Sequence, residues 1–162
     1  MLACMRYNIT VVGFFEAMGT SQMDFILNQT EMATIVCAPQ YIDKFIQLKQ
    51  DGLAGYVKNI ILLDESRDQS QVEKCKAFNV DIHLFKEVIE DGSKFENAPE
   101  FHMTNPMDTY MFSYTSGTTG DSKGVKVSHN MVIRTAMTSV KSMPVEEGDS
   151  VISYLPYSHS YE

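Results

Sequence analysis

Tyr114 to Val125 reads YTSGTTGDSKGV, and this stretch decides how the rest of the chain is read. A β-favouring approach, Tyr110 to Tyr114, leads into hydroxyl side chains set between glycines, and then to a lysine. Gly117, Gly120 and Gly124 permit positive φ and close approach of the main chain, so several N–H groups can converge on one anion. Ser116, Thr118 and Thr119 add hydroxyl donors, and Lys123 adds a positive charge. The composition suits a backbone that wraps a polyphosphate.

The Walker A loop is the competing pattern, with lysine directly after glycine and a helix directly after the loop. Here the lysine stands three residues after Gly120, and Val125-Lys126-Val127 alternates apolar and polar as a strand does. The loop is therefore expected to join strand to strand. A plain Gly/Ser/Thr turn with no ligand is the bland alternative.

Outward from the loop, short β-type runs alternate with amphipathic helices, the pattern of βα units. Strands are predicted over Ile9–Phe15, Thr34–Ala38, Asn59–Leu63, Asp81–Phe85 and Tyr110–Tyr114, with another over Val151–Leu155 closed by Pro156. Ser21 with Asp24 gives an S-x-x-D start for a helix carrying Phe25, Ile26 and Leu27. Tyr41–Gln50 sets Ile42, Phe45, Ile46 and Lys49 on one face, with Asp51-Gly52 as its stop. Ser70–Ala77 and Lys86–Glu90 are shorter helices. After the loop, Ser128 or Asn130 caps a helix whose Ile133, Ala136, Met137, Val140 and Met143 share a face, and Pro144 stops it. The expected class is α/β, built of parallel βα units with right-handed crossovers. Residues 1–105 form the βα-repeat part and 106–162 the loop-bearing part. The polar stretch from Asp91 to Pro106 reads as a surface connection inside one domain.

With 162 residues, 44% hydrophobic and 21% charged, the chain has the make-up of one ordinary globular domain. Its net charge of -8 argues against nucleic acid or an anionic membrane as the main partner, because both require a basic face. It can still hold a nucleotide, since at physiological salt each charge reaches only about 8 Å. Cys4, Cys37 and Cys75 are dispersed and lack C-x-x-C spacing, which fits a reducing, cytoplasmic compartment and neither a disulfide framework nor zinc. No apolar run approaches a membrane span and no signal peptide is expected. His83, His102 and His129 read as solvated or locally bonded side chains. His159 and Glu162 fall after the end of a strand, where ligands of open α/β sheets bind.

YTSGTTGDSKGV resembles the phosphate-binding signature of the AMP-forming adenylating enzymes. The later YLPYSHSYE, Tyr154 to Glu162, is similar to the second signature of the long-chain acyl-CoA synthetases in that family, LPLAHxxE. RYNITVVGFFEAMGTSQMDFILNQTEM, from Arg6 to Met32, resembles the family's strand followed by a helix ending in Leu-Asn. Ser122 departs from the usual proline, which removes a fixed φ from the lysine's approach.

The resemblance implies a two-step ligase. A fatty-acid carboxylate attacks the α-phosphorus of ATP, and the thiol of coenzyme A then displaces AMP. It assigns Thr115, Ser116, Gly117, Thr118, Thr119, Gly120 and Lys123 to the β and γ phosphates and Thr115 to the neighbourhood of Mg²⁺. It places His159 and Glu162 at the acid pocket, with Tyr154, Tyr157 and Tyr161 as candidates for an acyl channel. Lys123 and His159 are the implied catalytic residues. The implied partners are a fatty acid, ATP and CoA, and a longer form could associate peripherally with an intracellular membrane. The family's aromatic-x-x-Thr-Glu segment, ribose-binding aspartate, hinge and C-terminal lysine have no match in these 162 residues. The chain is thus expected to be a fragment of the large N-terminal domain. Two other classes compete: a kinase or NTPase of another family, and a remnant that binds ATP or a partner protein without turnover.

Overall fold

The computed structural model describes residues 2–96, 104–115, 122–143, 146–150 and 152. In chain order the elements are α1 (Leu2–Arg6), β1 (Val11–Val12), α2 (Thr20–Gln29), β2 (Thr34–Cys37), α3 (Ile42–Gln50), β3 (Asn59–Leu62) and α4 (Gln69–Lys76). They continue as β4 (Asp81–Leu84), α5 (Phe85–Ser93), β5 (Thr109–Thr115), β6 (Lys123–Ser128) and α6 (His129–Ser142). The α/β class with parallel βα units holds, and among the described residues the strands are divided between two three-stranded sheets. The chain forms two compact units, residues 18–98 and residues 1–17 with 99–162.

In the unit of residues 18–98, β2, β3 and β4 run parallel in that order. The register stacks Ile35, Ile60 and Ile82 in one row and Cys37, Leu62 and Leu84 in the next, all buried. A slip of one residue would expose both rows, so the alternation itself fixes the register. Also buried in this unit are Met23, Ile26 and Leu27 of α2, Ile42, Phe45, Ile46 and Leu48 of α3, and Val72 and Cys75 of α4. Each fully buried Ile or Leu contributes about 1.5–3 kcal/mol.

The end of α3 follows its sequence. Gly52 lies at φ 76°, its N–H donates to the Lys49 carbonyl (3.1 Å), and the Leu53 N–H donates to Leu48 (2.8 Å). Lys49 runs along the buried face to the Gly55 carbonyl (3.5 Å), and burial lowers its pKa. The start of α2 does not follow the expected capping pattern. The helix begins at Thr20 after Gly19, without a side-chain cap. Asp24 instead accepts from the N–H of Ala54 (2.8 Å), a buried residue at φ 51°. A donor inside a buried turn needs that acceptor more than a helix end open to water does.

Phe85 begins α5 instead of ending β4, and α5 is longer than expected. It buries none of its residues. Glu87 accepts from the Leu84 N–H (2.9 Å) and pairs with Arg67, while Lys86 donates to the Glu65 carbonyl (2.5 Å). The charged side is thus tied to the segment before α4, while Phe85, Val88 and Ile89 are exposed.

In the other unit, β1 pairs in parallel with β5 (Val11 with Met111, Val12 with Phe112), and β5 pairs antiparallel with β6. Regular pairing of β1 covers two residues of the expected Ile9–Phe15. Ser128 caps α6, accepting from the Met131 N–H (3.3 Å). The predicted face of α6 is helical in period but not buried: Ile133, Met137, Val140 and Met143 are exposed. The expected strand Val151–Leu155 lies outside the described residues except for Ile152, which belongs to no regular element. Among the described residues no helix is long and apolar enough to cross a membrane.

Candidate functional site

The loop joins two antiparallel strands, as its sequence requires. Thr115 closes β5 and pairs directly with Lys123, the first residue of β6, leaving residues 116–122 to connect them. Directly opposed residues share one face of the sheet with Cβ atoms about 4.5–5.5 Å apart. A hydroxyl and an ammonium therefore stand side by side at the mouth of the hairpin, both exposed. Together they can grip an anion through charge-assisted hydrogen bonds. Ser116, Gly117, Thr118, Thr119 and Gly120 lie outside the described residues, as do His159, Glu162, Tyr154, Tyr157 and Tyr161.

The next pair toward the root is Tyr114 with Gly124. Tyr114 is buried, and burial raises the pKa of its phenol. A Cβ added to Gly124 would lie 3.0 Å from Tyr114 Cζ and 3.2 Å from Cε1. Gly124 does not use the positive φ that glycine permits; what its position demands is close approach, with clearance for the tyrosine ring.

At the root the register shifts. Thr109 pairs with Ser128 and Met111 with Val127, so Tyr110 is the extra residue of a β-bulge. The bulge lets Tyr110 and Met111, neighbours in a strand, both be buried. The Tyr110 ring lies 5.6 Å from that of His129, inclined at 51°. His129, expected to be solvated or locally bonded, is only 5% exposed and is the one buried polar residue among the described residues. Its Nε2 is 3.3 Å from Asn8 Oδ1. Asn8, at φ 54°, donates from Nδ2 to Asp108 Oδ2 (3.0 Å), which also accepts from the Asn105 N–H (3.2 Å). The backbone N–H of His129 donates to the Asp108 carbonyl (3.2 Å) and that of Asn130 to Pro106 (2.8 Å). Sequence reasoning passed over this cluster, because no motif marks residues joined only by the fold.

Other chemistry is weak among the described residues. No group of three or more His, Cys, Asp or Glu side chains is placed to hold a metal. Cys37 is pushed up to about 11 by burial and secondarily by Cys75, and Cys75 is raised by burial and secondarily by Asp43. Such thiols are poor nucleophiles.

Over residues 1–162 the chain matches the family model described as AMP-binding enzyme. Long-chain-fatty-acid–CoA ligase 5 of Mus musculus is 29% identical over 99% of this chain and 24% of its own length. Long chain acyl-CoA synthetase 8 of Arabidopsis thaliana is 31% identical over 98% and 22%. Among solved structures, the A domain of carboxylic acid reductase from Segniliparus rugosus, in complex with AMP and a co-purified carboxylic acid, is similar with a TM-score of 0.71. It is 16% identical, over 99% of this chain and 27% of that one. ATP-bound MatB from Rhodopseudomonas palustris gives 0.65 and 19% identity over 99% and 28%. The chain spans about a quarter of the length of the curated relatives it matches.

Proposed function

The chain belongs to the AMP-binding enzyme family, and on that premise we propose that it serves the ATP-dependent activation of a long-chain fatty acid, as part of an acid–thiol ligase. The observation that carries the reading is the pairing of Thr115 with Lys123 at the mouth of a strand–loop–strand hairpin. The carboxylate oxygen attacks the α-phosphorus, the bond to the bridging oxygen of the β-phosphate breaks, and pyrophosphate leaves. Coenzyme A then adds its sulfur to the acyl carbon, loses the thiol proton, and AMP departs.

Two anions must be brought together, so fixed donors and cations have to offset their repulsion and hold the reacting atoms in line. Lys123 and residues 115–120 hold the β and γ phosphates and stabilise the charge that grows on the leaving pyrophosphate. His159 and Glu162 border the acid. Magnesium, when bound, neutralises phosphate charge. The Thr115 hydroxyl offers a single oxygen, which suits an ion held mainly by the nucleotide and water. The preference for long chains is supported by the likeness of YLPYSHSYE to the second signature and by the names of the similar ligases.

Titration of the purified chain with Mg·ATP tests the reading. Lys123→Ala removes a charge-assisted contact of about 1.5–3 kcal/mol and should weaken binding about tenfold to a hundredfold. An unchanged Kd would sink the role of Lys123. Pyrophosphate exchange stimulated by a long-chain fatty acid more than by acetate or an amino acid supports the substrate class. ATP binding without exchange, seen also when the chain is joined to the family's ribose-binding and C-terminal lysine segments, favours a nucleotide binder without turnover.

A further inference from the structure

We propose that Asn8, Asp108 and His129 are positioning residues that pin the bulge at Tyr110 and thereby set which residue stands opposite Thr115 at the other end of the hairpin. Only the meaning of Lys123 rests on the phosphate reading above. The register claim stands on the fold.

Below the bulge Thr109 faces Ser128; above it, every pair from Met111–Val127 to Thr115–Lys123 is displaced by one residue from that alignment. Side chains alternate between the two faces with period two, so a one-residue shift of β5 against β6 changes the partner at every position and sends each residue of the shifted strand to the other face. Without the bulge, Thr115 would face Ser122, and Lys123 would face Tyr114 in place of Thr115. The bulge is the point at which the hairpin chooses its register, and bulges in general serve to re-aim side chains next to functional sites.

Four contacts hold that point. The Tyr110 ring, displaced by the bulge, leans on His129. His129 is fixed through Nε2 to Asn8 Oδ1 and through its N–H to the Asp108 carbonyl. Asn8 closes the cluster through Nδ2 to Asp108 Oδ2. Because the Asn8 amide nitrogen is spent on Asp108, its oxygen faces the imidazole, and His129 must carry its proton on Nε2. Asn8 sits in the left-handed region, where Asn and Asp are tolerated far better than branched side chains. Thr10 adds a bond from Oγ1 to the Thr109 carbonyl (2.9 Å), beside the bulge.

The test is NMR of the labelled chain, reading cross-strand NOEs for Met111–Val127, Ser113–Val125 and Thr115–Lys123. Asn8→Asp sets a carboxylate against the carboxylate of Asp108 and should abolish or displace these NOEs by one residue. Adding Asp108→Asn exchanges donor for acceptor and should restore them. His129→Gln, which keeps an N–H donor, should retain the pairing that His129→Leu loses. If His129→Leu does not fold, the Asn8 and Asp108 variants decide alone. Native NOEs in Asn8→Asp, or no recovery in the double variant, would overturn the proposal. A second arm follows the Lys123 amide on addition of ATP, where the shift should vanish in Asn8→Asp and return in the double variant. If the NOEs behave as expected while ATP never moves Lys123 in the unmodified chain, the register pin stands and the phosphate role fails.

Discussion

The ring of Tyr114 fills the space that a Cβ on Gly124 would need, with Cζ 3.0 Å from that point. Two residues outside the hydroxyl-rich turn thus define the floor under the hairpin mouth. Gly124→Ala should cost about 1–3 kcal/mol, the range for overpacking a well-filled site. Its urea midpoint should fall, and Tyr114→Leu in the same chain should recover part of the loss. Equal midpoints for Gly124→Ala and the unmodified chain would show that the ring yields freely.

Thiol accessibility follows from burial. Cys37 and Cys75 are buried and Cys4 is half-buried, so a thiol reagent should label one site quickly under native conditions and all three after denaturation. Rapid labelling of Cys37 would contradict the packing of the β2–β3–β4 sheet.

The same burial gives an alkaline limb to stability. Cys37 is raised from 9.0 to about 11, so the folded state holds its proton where the unfolded state has lost it. That contribution is fully present below pH 9 and is lost as pH climbs toward 11. Cys37→Ala should flatten this part of the stability profile, measured by urea unfolding from pH 8 to 11.

Asp68 produces the opposite slope. Its carboxylate accepts from Ser70 at the start of α4, and that bond lowers its pKa below 3.8. Its contribution is present above pH 3.8 and disappears as pH falls through the lowered value. Asp68→Asn keeps an acceptor at the cap and should remove the acid slope without changing the neutral-pH thermal midpoint much. A persistent slope in that variant would assign it to other carboxylates.

Helix α5 carries its apolar side outward, so its surface residues should govern solubility more than stability. Ile89→Glu should reduce self-association in light scattering while shifting unfolding by no more than about 0.5 kcal/mol. A large loss of stability would mean that Ile89 packs in solution.

Local signals were legible in the sequence wherever one element decides its own fate. The alternation of Ile35 and Cys37, the face of α3 and the Asp51-Gly52 stop are read within a few residues of one another. Asp24 was misread because its partner Ala54 lies 30 residues away. The period of α6 was legible and its exposure was not, since burial depends on what the fold sets beside it. Within the site, strand–loop–strand connectivity was legible from Val125-Lys126-Val127. The bulge and His129 were not, because Asn8 is 121 residues from the histidine it holds. For residues 116–120, His159 and Glu162 the motifs alone carry the assignment.

The bulge also makes the hairpin a device that counts residues. A one-codon deletion at Phe112, beyond the bulge, would leave every letter of YTSGTTGDSKGV intact, yet it would set Thr115 opposite Gly124 and mount the loop on a stem of the wrong parity. Substitutions perturb such a stem by degrees, whereas a length change flips it. Two relatives with identical loops can therefore differ in nucleotide binding when their stems differ by one residue. An intact signature is half of what has to be inherited, and the other half is the spacing between Asp108 and Thr115.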